Sequence, residues 1–359
     1  MPVFRNRLTF EIARGIRAFV SVEAGVVRDE VPEAGPRANV AEAPVAPARA
    51  GAQRPKQISQ RMEEGGRRGG RRPDGAARRS PTSAGADGIS PENIVWIFGA
   101  GRTGSTWLVR MMGELTGHTV WFEPWVGALF DPYHLRLEDH KGQHFIFSPR
   151  YKKTWLRSIR AFVLEGADAR FPEAAEANNY LVIKEPGGSV GATLLMEALP
   201  ESRMVLLVRD PRDVVASWND AHREGGWQDG RREERNRPRV PVAIRAQKYV
   251  ENVGEAKKAY DAHEGRKVLV KYEELRADAL GIMKRIYSGL GIPVQEKELA
   301  RAVEKHSWEN IPEEKKGEGK FYRKATPGGW QEDLTPEQVK SVEEITAPLL
   351  EEFYPNSTP

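Results

Sequence analysis

Gly99-Ala100-Gly101-Arg102-Thr103-Gly104-Ser105-Thr106 has the glycine spacing of a phosphate-binding loop, GxxxxG, followed by a hydroxyl pair. The backbone N–H groups of such a turn, and of the helix it opens, converge on one point. The helix dipole favours an anion there, and Arg102, Ser105 and Thr106 add donors. The lysine that a nucleotide hydrolase carries after the second glycine is replaced by Ser105. The loop therefore suits an anhydride whose transferred group is held differently from the terminal phosphate of ATP. A second cluster, Arg209-Asp210-Pro211-Arg212-Asp213, is followed by Ser217. Pro211 fits the first turn of a helix, where its missing N–H would have been unpaired, and Asp210 can cap that helix. Arg209 then stands just before the helix and Ser217 two turns into it.

These side chains need a frame that brings them to one place. Asn93–Phe98 is a short apolar run ending in Gly99, and a helical pattern extends from Ser105 to about Leu115. Three more apolar runs follow: Tyr180–Ile183 ends in Lys184-Glu185-Pro186, Met204–Val208 in Arg209-Asp210, and Lys267–Val270 in Lys271-Tyr272-Glu273. Continuous short apolar runs separated by helical stretches predict an α/β, three-layer domain with a parallel central sheet. Its chemistry belongs at the carboxyl ends of the strands, where the polar residues above fall.

The first ninety residues differ in kind. They carry 16 Lys+Arg against 10 Asp+Glu, which leaves 39 against 41 in the rest of the chain. From about Val31 to Gly88 the sequence is rich in Ala, Pro, Gly and Arg, too poor in branched and aromatic residues to bury a core, and disorder is expected. Residues 1–20 place Val3, Leu8, Ile12, Ile16 and Phe19 at near-helical spacing among arginines. A short helix lying on a membrane surface and one packed on the domain fit this pattern equally. The division is thus a basic arm over 1–90 and one domain over 91–359. An Arg/Gly tract can bind nucleic acid, but as a solvated linker it needs no partner, and none is expected. There is no cysteine, and the seven histidines form no tight ligand pair, so no metal site is expected. No apolar run is long enough for a transmembrane helix, and the expected location is cytoplasmic, with peripheral membrane contact by the arm as an addition.

The segment 99–108 resembles the 5′-phosphosulfate-binding loop of sulfotransferases that use 3′-phosphoadenosine 5′-phosphosulfate (PAPS), with Thr103 where serine is more frequent. Arg209 to Ser217 is similar to the 3′-phosphate motif of the same family, in which the matching Arg and Ser hold the extra phosphate. Tyr272-Glu273-Glu274-Leu275, Ser307-Trp308-Glu309-Asn310 and Phe321-Tyr322-Arg323-Lys324 resemble three further family segments. The last departs from the pattern, since Ala325 stands where a glycine is expected. The resemblance implies a P-loop-like sulfotransferase fold and PAPS as co-substrate. It implies a nucleotide site made of Arg102, Thr103, Gly104, Ser105, Thr106, Trp107, Arg209, Ser217, Tyr272, Trp308, Arg323 and Lys324, with Trp107, Tyr272 and Trp308 bordering the adenine.

Sulfuryl transfer needs a base at the acceptor oxygen, cations at the transferred group and an in-line arrangement. Glu123, in Val120-Trp121-Phe122-Glu123-Pro124-Trp125, is the expected base, and flanking aromatics would enclose it. Arg102 and Lys184 are the expected cations, with Glu185 and His118 in reserve as bases. A Glu at this spacing resembles the carbohydrate and tyrosyl-protein sulfotransferases. The small-molecule enzymes carry a His after the second of the apolar runs, where this chain has Lys184-Glu185-Pro186. The acceptor implied is a glycan or glycolipid hydroxyl, with other small molecules open. Glu224 to Arg235 reads equally as a lid over the acceptor or as a solvated insertion. Two rival functions remain: a P-loop kinase of small molecules, which the absent lysine disfavours, and a nucleotide-sensing module whose arm binds nucleic acid or membrane.

Overall fold

The computed structural model describes residues 88–130, 148–229 and 240–355. Residues 1–87 of the expected arm, with its short helix, and residues 230–235 of the 224–235 segment lie outside the described residues.

Five parallel strands form one sheet in the order β2-β3-β1-β4-β5. They are β1 (Ile94–Gly99), β2 (His118–Phe122), β3 (Tyr180–Lys184), β4 (Arg203–Val208) and β5 (Lys267–Lys271). Strands β1, β3 and β4 are buried along their whole length. Their side chains alternate between two cores. Ile94, Trp96, Phe98, Leu181 and Ile183 face one layer, and Val95, Ile97, Val182, Val205 and Leu207 the other. Each such side chain contributes roughly 1.5–3 kcal/mol by its burial.

Helix α1 (Ser105–Gly113) and, after β5, helices α6 (Tyr272–Ala277), α7 (Ala279–Leu290) and α8 (Glu296–Lys305) contribute Leu108, Met111, Leu275, Ile286 and Leu299 to the second core. The first core takes residues from α2 (Lys152–Arg170), α3 (Ala192–Ala198), α4 (Pro211–Ala221), α5 (Val242–Ala262) and, after the short α9 (Trp330–Asp333), the final α10 (Pro336–Phe353). Asp210 caps α4 by accepting the Arg212 N–H at 2.8 Å, with Pro211 in the first turn.

Four of these strands are the apolar runs legible in the sequence. The fifth, β2, is an edge strand with His118 and Thr119 half exposed, so it lacks the continuous apolar run that marks the others. Its pairing sets Phe122 opposite Lys184. The carboxyl ends of β1, β2, β3 and β4 therefore lie side by side on one edge of the sheet.

Candidate functional site

The turn between β1 and α1 can be built only with glycine at its two ends. Gly99 and Gly104 have φ of 150° and 90°. A Cβ on Gly99 would strike the Leu207 carbonyl, and one on Gly104 the ring of Tyr272. Inside the turn the Thr103 hydroxyl donates to the Ala100 carbonyl at 2.8 Å, and the residue is fully buried. Thr103 thus ties the loop from within, and its hydroxyl does not line the cavity above. Ser105, Thr106 and Gly104 do line it. The Ser189 hydroxyl accepts the Gly99 N–H at 2.9 Å and donates to the Glu185 carbonyl at 3.1 Å, which joins the loop to the turn after β3.

Arg102 leaves the loop in a left-handed conformation, φ 70°. Its guanidinium lies against an edge-to-face pair formed by Trp227 and Phe321, 5.4 and 5.1 Å from their ring centroids, which are themselves 5.1 Å apart. It donates to Ser217 Oγ at 3.0 Å and to the Phe321 carbonyl at 3.1 Å. Burial, and next the charge of Arg209, lower its pKa to about 10. Arg209, at the end of β4, donates to the Arg102 carbonyl at 3.2 Å, stands 3.7 Å from Asp213 and lies 4.3 Å from the centre of the Tyr272 ring. Its Nε is buried with no hydrogen-bond partner among the described residues. Two guanidinium groups and a serine hydroxyl crowded together, one nitrogen unsatisfied, fit a phosphate.

At the neighbouring strand ends, Glu123 donates its N–H to the Lys184 carbonyl at 2.9 Å, and Lys184 Nζ ion-pairs with Glu123 Oε1. The Lys184 side chain is 3 % exposed and that of Glu123 36 %. Burial lowers the Lys184 pKa, with the Glu123 contact opposing it, and the Nζ lies 4.2 Å from the centre of the Phe122 ring. The aromatic enclosure expected for Glu123 is not formed, because Phe122 and Trp125 are 49 % and 55 % exposed. Glu185 is buried and both of its oxygens accept backbone N–H groups, from Trp125 at 3.1 Å and Gly127 at 3.2 Å. Burial raises its pKa to about 7. His118 begins β2, at the opposite edge of the sheet, against Tyr180 and Tyr287, away from these groups.

A single cavity of about 960 Å³ joins the loop, Arg209, Ser217, Glu123 and Lys184. Trp107, Tyr272, Trp308, Arg323 and Lys324 also line it. Trp107 and Tyr272 meet edge to face at 6.5 Å, and the Trp107 indole N–H is held by the His306 carbonyl at 2.8 Å. Arg323 ion-pairs with Asp333, and Lys324 with Glu332 and Asp333 at 2.7 and 3.2 Å. Ala325 adopts φ 52°, the left-handed conformation for which glycine would be the ordinary choice. Asp213 accepts the N–H groups of Gly328 and Trp330 at 2.9 and 3.0 Å, and so fastens this late segment to α4. Trp227 and Phe321, the edge-to-face pair against Arg102, fall in segments singled out in the sequence but were not themselves named as site residues. They reach it by long-range packing that no local spacing marks. Among the described residues no group of three or more His, Asp or Glu is placed to hold a metal ion, and no helix is long and apolar enough to cross a membrane.

Over 199 residues the chain is 29 % identical to cytosolic sulfotransferase 17 of Arabidopsis thaliana, covering 45 % of this chain and 55 % of the relative. The chain thus spans about half the length of that curated relative. Solved structures similar to it include sulfotransferase STF9 from Mycobacterium avium, with 15 % identity, TM-score 0.46 and coverage of 74 % of this chain and 78 % of that one. Mouse sulfotransferase SULT7A1 complexed with PAP matches at 14 % identity and TM-score 0.43, over 72 % and 85 % of the two chains. The family model for the sulfotransferase domain matches residues 92–354, so this chain belongs to the sulfotransferase family.

Proposed function

We propose that the protein transfers a sulfuryl group from PAPS to an acceptor hydroxyl, with Glu123 as general base. The observation that carries the reading is the meeting, in one cavity, of a glycine loop, the Arg102–Arg209–Ser217 cluster and the Glu123–Lys184 ion pair. When bound, PAPS would supply the sulfuryl group already activated as a mixed anhydride. The loop N–H groups with Ser105 and Thr106 hold its 5′ end, and Arg209, Ser217 and Arg102 its 3′-phosphate. Trp107, Tyr272 and Trp308 border the base. Arg323 and Lys324, now paired with acidic neighbours, close the phosphate end from the late segment. The sequence resemblance supports these assignments except for Arg102, which it places in the 5′-phosphosulfate loop and at the transferred group and which here bonds to Ser217, and it is weakened for Arg323 and Lys324 by Ala325.

Glu123 takes the proton of the acceptor hydroxyl as its oxygen bonds to sulfur and the bridging S–O bond breaks. Lys184 stands at the same oxygen and offsets negative charge on the transferred group. The half-exposed faces of Phe122 and Trp125 at the cavity offer stacking surfaces for a sugar ring, in keeping with a glycan or glycolipid acceptor. The plant relative's name describes a cytosolic enzyme, and a cytoplasmic location belongs to the same reading. The test is turnover of PAPS with a panel of saccharide, glycolipid and phenolic acceptors. Glu123→Gln should lower the rate by about 10²–10⁴-fold while leaving affinity for the spent 3′,5′-bisphosphate unchanged. Full activity in that variant would remove Glu123 from the role.

A further inference from the structure

Glu123 is presented by a strained turn. Glu123 and Trp125 both have left-handed φ, 48° and 61°, and neither is glycine. Such residues persist only where the surroundings hold them. Behind this turn lies Glu185, whose carboxyl accepts the N–H groups of Trp125 and Gly127, one on each oxygen. It is 1 % exposed and does not line the cavity, so it has no access to an acceptor. Its surroundings are built to touching distance. A Cβ on Gly188 would overlap the Glu185 carboxyl, one on Gly127 would meet the Gly188 carbonyl, and one on Gly191 the Gly127 carbonyl. The backbone of Glu185 is fixed as well, its N–H donating to the Ile97 carbonyl of β1 at 2.9 Å and its carbonyl accepting from Ser189, which also holds Gly99 of the phosphate loop.

We propose that Glu185 is a positioning residue that clamps the Glu123–Gly127 turn, holding the Glu123 carboxylate against Lys184 and in register with the phosphate loop. The inference rests on the role assigned to Glu123 above. It gives a buried acid that the transfer itself does not use a specific task. A carboxylate can accept at both oxygens. The amide of Gln can accept at one and would set an N–H against the other backbone N–H. Glu185→Gln therefore removes one half of the clamp with almost no change in volume.

The experiment compares the full chain with Glu185→Gln, Glu123→Gln and the double variant. Backbone amide exchange reads the clamp without turnover. In Glu185→Gln, exchange at Trp125 or Gly127 should rise about tenfold or more, while the amides of Gly104 to Trp107 keep their rates. Release of the bisphosphate from PAPS, with 4-nitrophenol or water as acceptor, reads the consequence. The Glu185→Gln rate should fall about tenfold or more with bisphosphate affinity unchanged, and the variant should cost nothing further in a Glu123→Gln background. Unchanged exchange at both amides, or equal losses in rate and bisphosphate affinity, or full additivity with Glu123→Gln, would overturn the proposal. Failure of the underlying reading looks different, since Glu123→Gln alone would then keep its rate.

Discussion

Arg102 and Ser217 are 115 residues apart in the chain and 3.0 Å apart in the fold, the guanidinium Nε donating to the hydroxyl. This one bond joins the loop after β1 to the helix after β4, so the proposed 5′ and 3′ phosphate contacts adjoin. Ser217→Ala should weaken binding of 3′-phosphoadenosine 5′-phosphate by about 1–2 kcal/mol, or roughly 5–30-fold. Binding of adenosine 5′-phosphate, which lacks the 3′ group, should change by less. Arg102→Lys should fail to restore what Arg102→Ala loses, because an ammonium cannot reach Ser217 and the Phe321 carbonyl as a fork while packing against the Trp227–Phe321 ring pair. Titration calorimetry of both ligands on the three variants checks this.

Glu185 makes stability and activity respond to pH in opposite directions. Its pKa is raised from 4.5 to about 7, first by burial and also by the Glu123 charge, with the two backbone N–H groups and Lys184 opposing. The folded state thus holds a proton between those values that the unfolded chain has released, and the stability this adds is lost as pH rises toward about 7. The partly exposed His118 and the buried His263 have lowered pKa values and pull the other way, so the contrast between the parent and Glu185→Gln is the useful quantity. The stability of the parent relative to that variant should fall from pH 5 to about 7.5, as followed by thermal melts. Turnover of the parent should rise over the same range as the clamp ionises, and that rise should be absent in Glu185→Gln.

The final helix α10 reaches the proposed nucleotide site through Tyr354, which follows it. Its hydroxyl donates to Glu273 Oε2 at 2.9 Å, the other Glu273 oxygen accepts the Asp210 N–H at 3.0 Å, and Asp210 caps the helix that follows Arg209. Tyr354→Phe should lower stability by about 1–2 kcal/mol. The melting temperature should drop by roughly 2–8 °C. Bisphosphate affinity should fall less than in Arg209→Ala, since the turn is loosened and the cation kept.

Much of this arrangement was legible in the residues because the interior strands are buried on both faces. Ile94–Gly99, Tyr180–Lys184 and Arg203–Val208 hold continuous apolar runs, followed respectively by the glycine loop, by Lys184 closing its own strand, and by Arg209, all proposed parts of the site. The phosphate loop is legible because Gly99 and Gly104 are demanded by backbone geometry. Edge strand β2 is open to solvent and leaves no such run, although it delivers Glu123. Thr103 could be read as a ligand from its type, and only the fold shows its hydroxyl turned to Ala100. The packing of Arg102 against the Trp227–Phe321 ring pair and the Glu185 clamp depend on contacts between segments far apart in sequence, in the clamp's case through a glycine-on-glycine approach that spacing alone does not encode.

If the cavity is built for a 3′-phosphorylated adenine nucleotide, calorimetry on the purified chain will read it as a preference among nucleotides. 3′-Phosphoadenosine 5′-phosphate should bind at least about tenfold more tightly than ATP with Mg²⁺. That preference should vanish in both Arg209→Ala and Ser217→Ala. Tighter binding of ATP with Mg²⁺, or a preference unmoved by either substitution, would contradict the account.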